Sequence, residues 1–441
     1  MLHLGMYNCV AVVGRMGINL YMARTIKALS TFYKVRGSLD QRIRVSTELE
    51  SERALLDRIK TKKTRDTVDL LMQTVCNQNC SHCHFVEEGY HGDLKIDSHL
   101  LADMQTIVDF FNQAKGNRPQ ISTYPRELSL VPSLLPFRQQ VGHDSIYTNA
   151  SVITPFVIDK LIKHGVKNAF VSLHGDKGHH VALTGVSPHQ YERTLKGIEL
   201  LHGAGITVTV LMTIYKDNLN NVSEVVKYLE DVGIKKLKLV RYFPAGRGKD
   251  LPVDKILSAK DVLQLLYTVD NLRKQHPKMN ISLYGLSFGP NFYSPNYFRY
   301  LAGQKEALSG DGNVFGSVSP EPRYVCALIG RQYLGISLAT HYIYPCFEAL
   351  SFPELRMGKL IKGRNGINLK LDEHAFAVEQ LSENLRGQCS KENCTYQKLC
   401  LGGCRMHAYA IAKQRNEPDP LYAGQDVCVT RILDKELTVL K

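Results

Sequence analysis

The 441-residue chain has no tryptophan, and no motif in which aromatic and basic residues alternate. Single-stranded nucleic acids are held by basic grooves with aromatic stacking platforms, so nucleic acid is not an expected partner. Also missing is an uninterrupted apolar run of the roughly 20 residues a bilayer-crossing helix needs. The apolar N-terminal stretch, residues 2–22, is broken by Arg15. No basic region precedes it and no small-residue cleavage site follows it cleanly, so it does not read as a secretion signal. It reads as a core or docking helix, and no membrane association is expected. Eleven cysteines are too few and too uneven for a small disulfide scaffold. Their odd number, without a secretion signal, points to reduced thiols acting as metal ligands in a cytoplasmic protein. A hydrophobic content of 44% with 22% charged residues excludes wholesale disorder.

At about 100–200 residues per domain, the length suggests two or three domains. From residue 68 onward, short apolar runs alternate with amphipathic stretches, the pattern of βα units round a parallel sheet. Strands are expected at 68–75, 120–124, 145–148, 168–174, 206–214 and 236–242. Helices are expected at 99–112, 155–164, 190–204 and 222–232, and glycines 165, 205 and 233 fall just past helix ends, where a left-handed residue is common. Six units are short of eight, so the α/β fold class expected is a partial (β/α)6 TIM barrel over residues 66–250. Residues 1–65 are expected to be a helical extension containing the basic run 58–65. Residues 251–320 lose the rhythm apart from a helix near 259–276, and 285–324 is a Gly-, Pro- and Tyr-rich connection. Residues 321–441 read as a small cysteine-rich domain held by metal in place of apolar packing.

Ten cysteines fall within 76–83 and 326–428, and only Cys9 stands apart. Cys76, Cys80 and Cys83 are spaced C-x3-C-x2-C directly after the first strand, on the barrel face where chemistry is done. Three thiolates on one loop hold three irons of a cubane and leave the fourth open. A zinc site completed by His84 is the competing reading. This placement resembles the radical S-adenosylmethionine (radical SAM) superfamily, in which the open iron chelates SAM and reductive cleavage yields a 5′-deoxyadenosyl radical. The resemblance gives His82 a place near the adenine. Tyr124-Pro125-Arg126-Glu127 stands where a Gly-Gly-Glu-Pro segment is common, which makes Glu127 a candidate for the SAM amine. Thr148-Asn149-Ala150 is similar to Thr-Asn-Gly, and Ser172 is suited to hydrogen-bond SAM. Leu183-Thr184-Gly185 and Pro244-Ala245-Gly246-Arg247-Gly248 are similar to segments of the peptide-modifying branch.

Seven more cysteines, Cys326, Cys346, Cys389, Cys394, Cys400, Cys404 and Cys428, are one short of two four-cysteine sites. The paired C-x2-C of a zinc ribbon is absent. The pattern resembles the SPASM extension, with its two auxiliary [4Fe–4S] clusters. By that resemblance Cys389, Cys394, Cys400 and Cys428 bind an outer cluster, and Cys326, Cys346 and Cys404 an inner one whose fourth position is open or filled by another residue or by substrate. The cofactors implied are SAM and three [4Fe–4S] clusters.

The activity implied is hydrogen abstraction from a ribosomally synthesised precursor peptide. An aminosugar or carbohydrate dehydrogenase or epimerase is the alternative. No leader-binding domain is legible in residues 1–65, so a separate leader-recognition protein is expected, along with an external electron donor. The net charge of +13 would offset anionic clusters and attract an acidic peptide.

Overall fold

The computed structural model describes residues 67–112, 119–284, 333–363, 366–371, 386, 390 and 404–424. The N-terminal extension, the connection 285–324 and five of the tail cysteines (Cys326, Cys389, Cys394, Cys400 and Cys428) lie outside the described residues.

The six expected strands form as β1 (Thr67–Met72), β2 (Gln120–Pro125), β3 (Ser145–Thr148), β4 (Asn168–Ser172), β5 (Thr207–Ile214) and β6 (Lys236–Arg241). Two more parallel strands join them. β7 (Asn280–Tyr284) pairs with β6, and β8 (Tyr333–Ser337) pairs with β1 on the side away from β2. The parallel strands among the described residues therefore number eight, two more than the six expected, and the α/β partial barrel stands. Both added strands are only five residues long and border the stretch where βα periodicity is lost. The ladders make a five-stranded sheet β3-β4-β5-β6-β7 and a six-stranded sheet β11-β10-β9-β8-β1-β2. In the latter, β9 (Tyr342–Tyr344), β10 (Gly358–Gly363) and β11 (Gly366–Leu371) run antiparallel in succession. Between β2 and β3 the join is a side chain. Buried Arg138, on α2 (Leu135–Gln140), donates to the Thr123 carbonyl at 2.7 Å and also to Thr123 Oγ1 and the Ser145 carbonyl.

Helices α1 (Ser98–Asn112), α3 (Pro155–Lys163), α5 (Pro188–Gly203), α6 (Val222–Asp231) and α7 (Ala259–Gln275) pack on the outer face, and α4 (Lys177–Thr184) precedes α5. Met104, Leu161, Ile198, Leu229 and Leu265 from these helices share one core with Val68, Leu70, Val171, Val210 and Leu239 from the strands. Gly165, Gly205 and Gly233 adopt φ of 72°, 79° and 80°, the left-handed form expected after a helix.

The described part of the tail departs from the expectation of metal in place of packing. Tyr344, Leu350, Phe352 and, on α8 (Arg405–Gln414), Met406 and Tyr409 form a second apolar core with Leu71 and Phe243 of the barrel. The shared core fixes Cys346 and Cys404 against the barrel mouth, because Cys346 lies in it and Cys404 packs against it.

Candidate active site

β1 ends at Met72, earlier than its apolar run suggests, and the chain then leaves the sheet as the loop carrying Cys76, Cys80 and Cys83. Each part of this loop is held from a different element of the fold. Asn77 Nδ2 donates to Ser151 Oγ at 2.8 Å, while Asn149 Nδ2 donates to Asn77 Oδ1 at 2.9 Å. Ser81 donates through N and Oγ to the Leu183 carbonyl at 3.1 and 2.9 Å. Beyond Cys83, the buried Glu87 carboxylate accepts from Thr340 at 2.6 Å, from Tyr344 at 2.9 Å and from Ser337. That last contact set ties the loop to β8 and β9.

After β6, Arg247 clamps the loop through its Nε to the Cys80 carbonyl and its main-chain N–H to the Cys83 carbonyl. Gly246 must be glycine here. Its φ is +57°, and a Cβ would lie 2.5 Å from the Cys83 carbonyl oxygen. Gly197 on α5 has a similar duty, since a Cβ there would sit 2.1 Å from the Ala150 oxygen, behind Asn149.

Burial, and then the charges of Cys83 and Cys76, push Cys80 up to about 12, and burial likewise raises Cys76. Two thiols that resist ionisation, Cys76 and Cys80, form anions that need cations beside them, and metal binding supplies these while releasing the protons. Three cysteines on one braced loop therefore fit a cubane with one open iron. Among the described residues, no three His, Cys, Asp or Glu side chains close round a single metal ion. His84, the ligand of the competing zinc reading, has its ring between Phe243 and Phe347 at 5.6 and 5.4 Å.

The residues assigned by resemblance to SAM converge on the same rim. His82 sits edge-on to His174 with centroids 4.6 Å apart, and burial pushes its pKa down to about 3, so the ring is neutral. Ser172 ends β4, and its hydroxyl has no hydrogen bond among the described residues. Glu127 is buried and accepts from Thr148 Oγ1 and Asn149 N, both at 2.7 Å, and from Ser129. In this structure its carboxylate straps β2 to the β3 turn that carries Asn149.

Tail cysteines Cys346 and Cys404 both lie near Tyr284 of β7, and their charges help raise the Tyr284 phenol, after burial and Glu348. Sequence reasoning missed Asn77, Glu87, Tyr284 and Lys238. The legible signal for Lys238 was a cation in alternation with the apolar outer-face residues of β6.

Residues 70–229 match the model of the Radical SAM superfamily, so the chain carries a radical SAM domain. That family implies SAM and a [4Fe–4S] cluster. Among similar proteins, the AdoMet-dependent heme synthase of Nitratidesulfovibrio vulgaris is 26% identical, the match covering 78% of this chain and 89% of that protein. Streptococcus suis SuiB bound to precursor peptide SuiA has a TM-score of 0.55 at 16% identity, with 86% of this chain and 79% of that one covered. Native anSMEcpe with bound AdoMet and Kp18Cys peptide has a TM-score of 0.56 at 17% identity, with 85% of this chain and 98% of that one covered. No helix among the described residues is long and apolar enough to cross a membrane.

Proposed function

We propose that this protein is a radical SAM enzyme whose substrate is a tetrapyrrole. The carrying observation is the inner face of the sheet. The outer residues of β4, β5 and β6 are buried under helices, whereas Phe170, Ser172, Thr209, Leu211, Thr213, Lys238 and Val240 on the inner face stay partly accessible. Tyr147 and Tyr284 on that face are 38% and 39% exposed. An open lumen lined by Tyr124, Tyr147, Phe170 and Tyr284 suits a broad, flat, unsaturated ligand. The heme synthase relative supports the same class, since heme is an iron tetrapyrrole.

In this reading Cys76, Cys80 and Cys83 hold the cluster, and bound SAM supplies a 5′-deoxyadenosyl radical that takes hydrogen from the substrate. Neutral His82 flanks the adenine, and Asn149 and Ser172 orient SAM. Glu127 acts by keeping Asn149 in place. Cys326, Cys346 and Cys404 with the outer set Cys389, Cys394, Cys400 and Cys428 hold two auxiliary [4Fe–4S] clusters, and an external donor reduces the system.

Peptide maturation is the second reading, favoured by the order of Leu183-Thr184-Gly185 and Pro244 to Gly248. Its weight is reduced because Leu183, Gly246 and Arg247 hold the cysteine loop, a task independent of substrate. Anaerobic turnover with SAM and dithionite, offering iron coproporphyrin III in one arm and a candidate precursor peptide with its recognition protein in the other, decides by mass spectrometry. A mass change in the macrocycle alone supports the first reading. A change in the peptide alone overturns it.

A further inference from the structure

Lys238 stands on the inner face of β6. Ser172 pairs in register with Leu211, and Leu211 pairs in register with Lys238. Residues in register on neighbouring strands point to the same side of the sheet, so Lys238 lies on the same row as Ser172, facing the lumen. Its Nζ is 5.4 Å from the Phe170 ring centroid and 5.9 Å from that of Tyr284. Among the described residues it has no ion pair and no hydrogen bond. Glu348, which meets the same Tyr284, accepts from its Oη at 2.7 Å and does not act on Lys238. Burial lowers the Lys238 ammonium without an opposing carboxylate to restore it.

A cation left unpaired in a half-enclosed aromatic cavity is costly unless an anion joins it. Lysine recognises anions as a point charge, without the planar fork of arginine. We infer that Lys238 is an anchor for a carboxylate arm of the substrate, held in the lumen at the depth of Ser172 between Phe170 and Tyr284. This builds on the tetrapyrrole reading for the ligand's ring system, but the charge preference stands on the lysine's own surroundings.

The test uses the full chain, anaerobically reconstituted and saturated with SAM. Binding is titrated with two pairs of probes, iron coproporphyrin III against its tetramethyl ester and pyrenebutyrate against pyrenebutanol. A charged contact of this kind is worth about tenfold or more in affinity. The wild type should prefer the acid of each pair by about that factor. Lys238→Met and Lys238→Gln should erase the preference, Lys238→Arg should keep it, and SAM affinity should be unchanged throughout. A wild type with no acid preference in either pair overturns the proposal, as does a preference that survives in Lys238→Met. Weakened SAM binding with the acid preference intact also overturns it, by giving the lysine to the cofactor. If neither porphyrin binds but the pyrene preference appears and is lost in Lys238→Met, the anchor stands and the tetrapyrrole reading falls.

Discussion

Arg247 Nε donates to the carbonyl of Cys80 at 2.9 Å, and the main-chain N–H of the same residue donates to the carbonyl of Cys83 at 2.9 Å. One residue after β6 thus grips two of the three cysteines of the loop after β1, and brings a guanidinium beside them. Its charge acts on Cys80 against the effect of burial. An anionic cluster beside a fixed cation is easier to reduce. Replacing Arg247 with Met should lower the reduction potential of the SAM-binding cluster by roughly tens of millivolts, from the Coulomb energy of one partly screened charge. Potentiometric titration followed by electron paramagnetic resonance reads this directly, and an unchanged potential would limit the residue to bracing the loop.

Replacing Cys76, Cys80 and Cys83 together with Ala should abolish 5′-deoxyadenosine production. If the tail holds the two auxiliary cubanes proposed above, the wild type carries about twelve irons and the variant should keep about eight. Iron assay and chromatography of the SAM products check both numbers. Continued 5′-deoxyadenosine formation would remove this loop from the chemistry.

Two glycines are expected to tolerate no side chain. Gly246→Ala would put a methyl 2.5 Å from the Cys83 oxygen at a φ of +57°, and Gly197→Ala would put one 2.1 Å from the Ala150 oxygen. Either clash is with backbone, so the loop or its support must shift. Each change should cost about 2 kcal/mol or more and reduce iron retained at the SAM-binding loop. Thermal melts and iron content of the purified variants provide the measurement.

Asp69, on the inner face of β1, has its carboxyl raised to about 7 by burial and then by Glu348. A carboxyl protonated in the folded state and ionised in the unfolded state favours folding only at low pH. Stability should therefore fall as pH rises from about 4 to about 7, by roughly 2–4 kcal/mol from this group. Asp69→Asn should flatten that slope. Urea unfolding at pH 5 and pH 8 gives the comparison, and a variant that keeps the full slope would assign it to another group.

The cysteine loop was legible because C-x3-C-x2-C after an apolar run has few other uses, and alternation was clear along β4 to β6. β7 and β8 escaped because they flank the Gly- and Pro-rich connection where the alternation of strand and helix stops, and no local feature announces that β8 pairs with β1. The support of the loop was legible only in part. Arg247 stood within a recognised Gly-Arg-Gly segment, but its grip on Cys80 depends on the meeting of two strand ends. The resemblance of Tyr124-Pro125-Arg126-Glu127 to Gly-Gly-Glu-Pro makes Glu127 a candidate ligand for the SAM amine and says nothing of its strapping role. Its bonds to Thr148 and Asn149 depend on how β2 and β3 are aligned, and that alignment runs through Arg138, a side chain with no motif around it.

The pairing of β1 with β8 also sets an order of events during synthesis. The strand leading into the cysteine loop emerges early from the ribosome, while the strand that closes its free edge emerges far later. Until then the edge of β1 lies open, and Glu87 lacks the hydroxyls of Ser337, Thr340 and Tyr344 that fix the far end of the loop. Iron loaded before β8 and β9 have emerged would meet a half-built cradle, so cluster insertion belongs after that point, and a nascent protein stalled before β8 is a poor acceptor for cluster delivery.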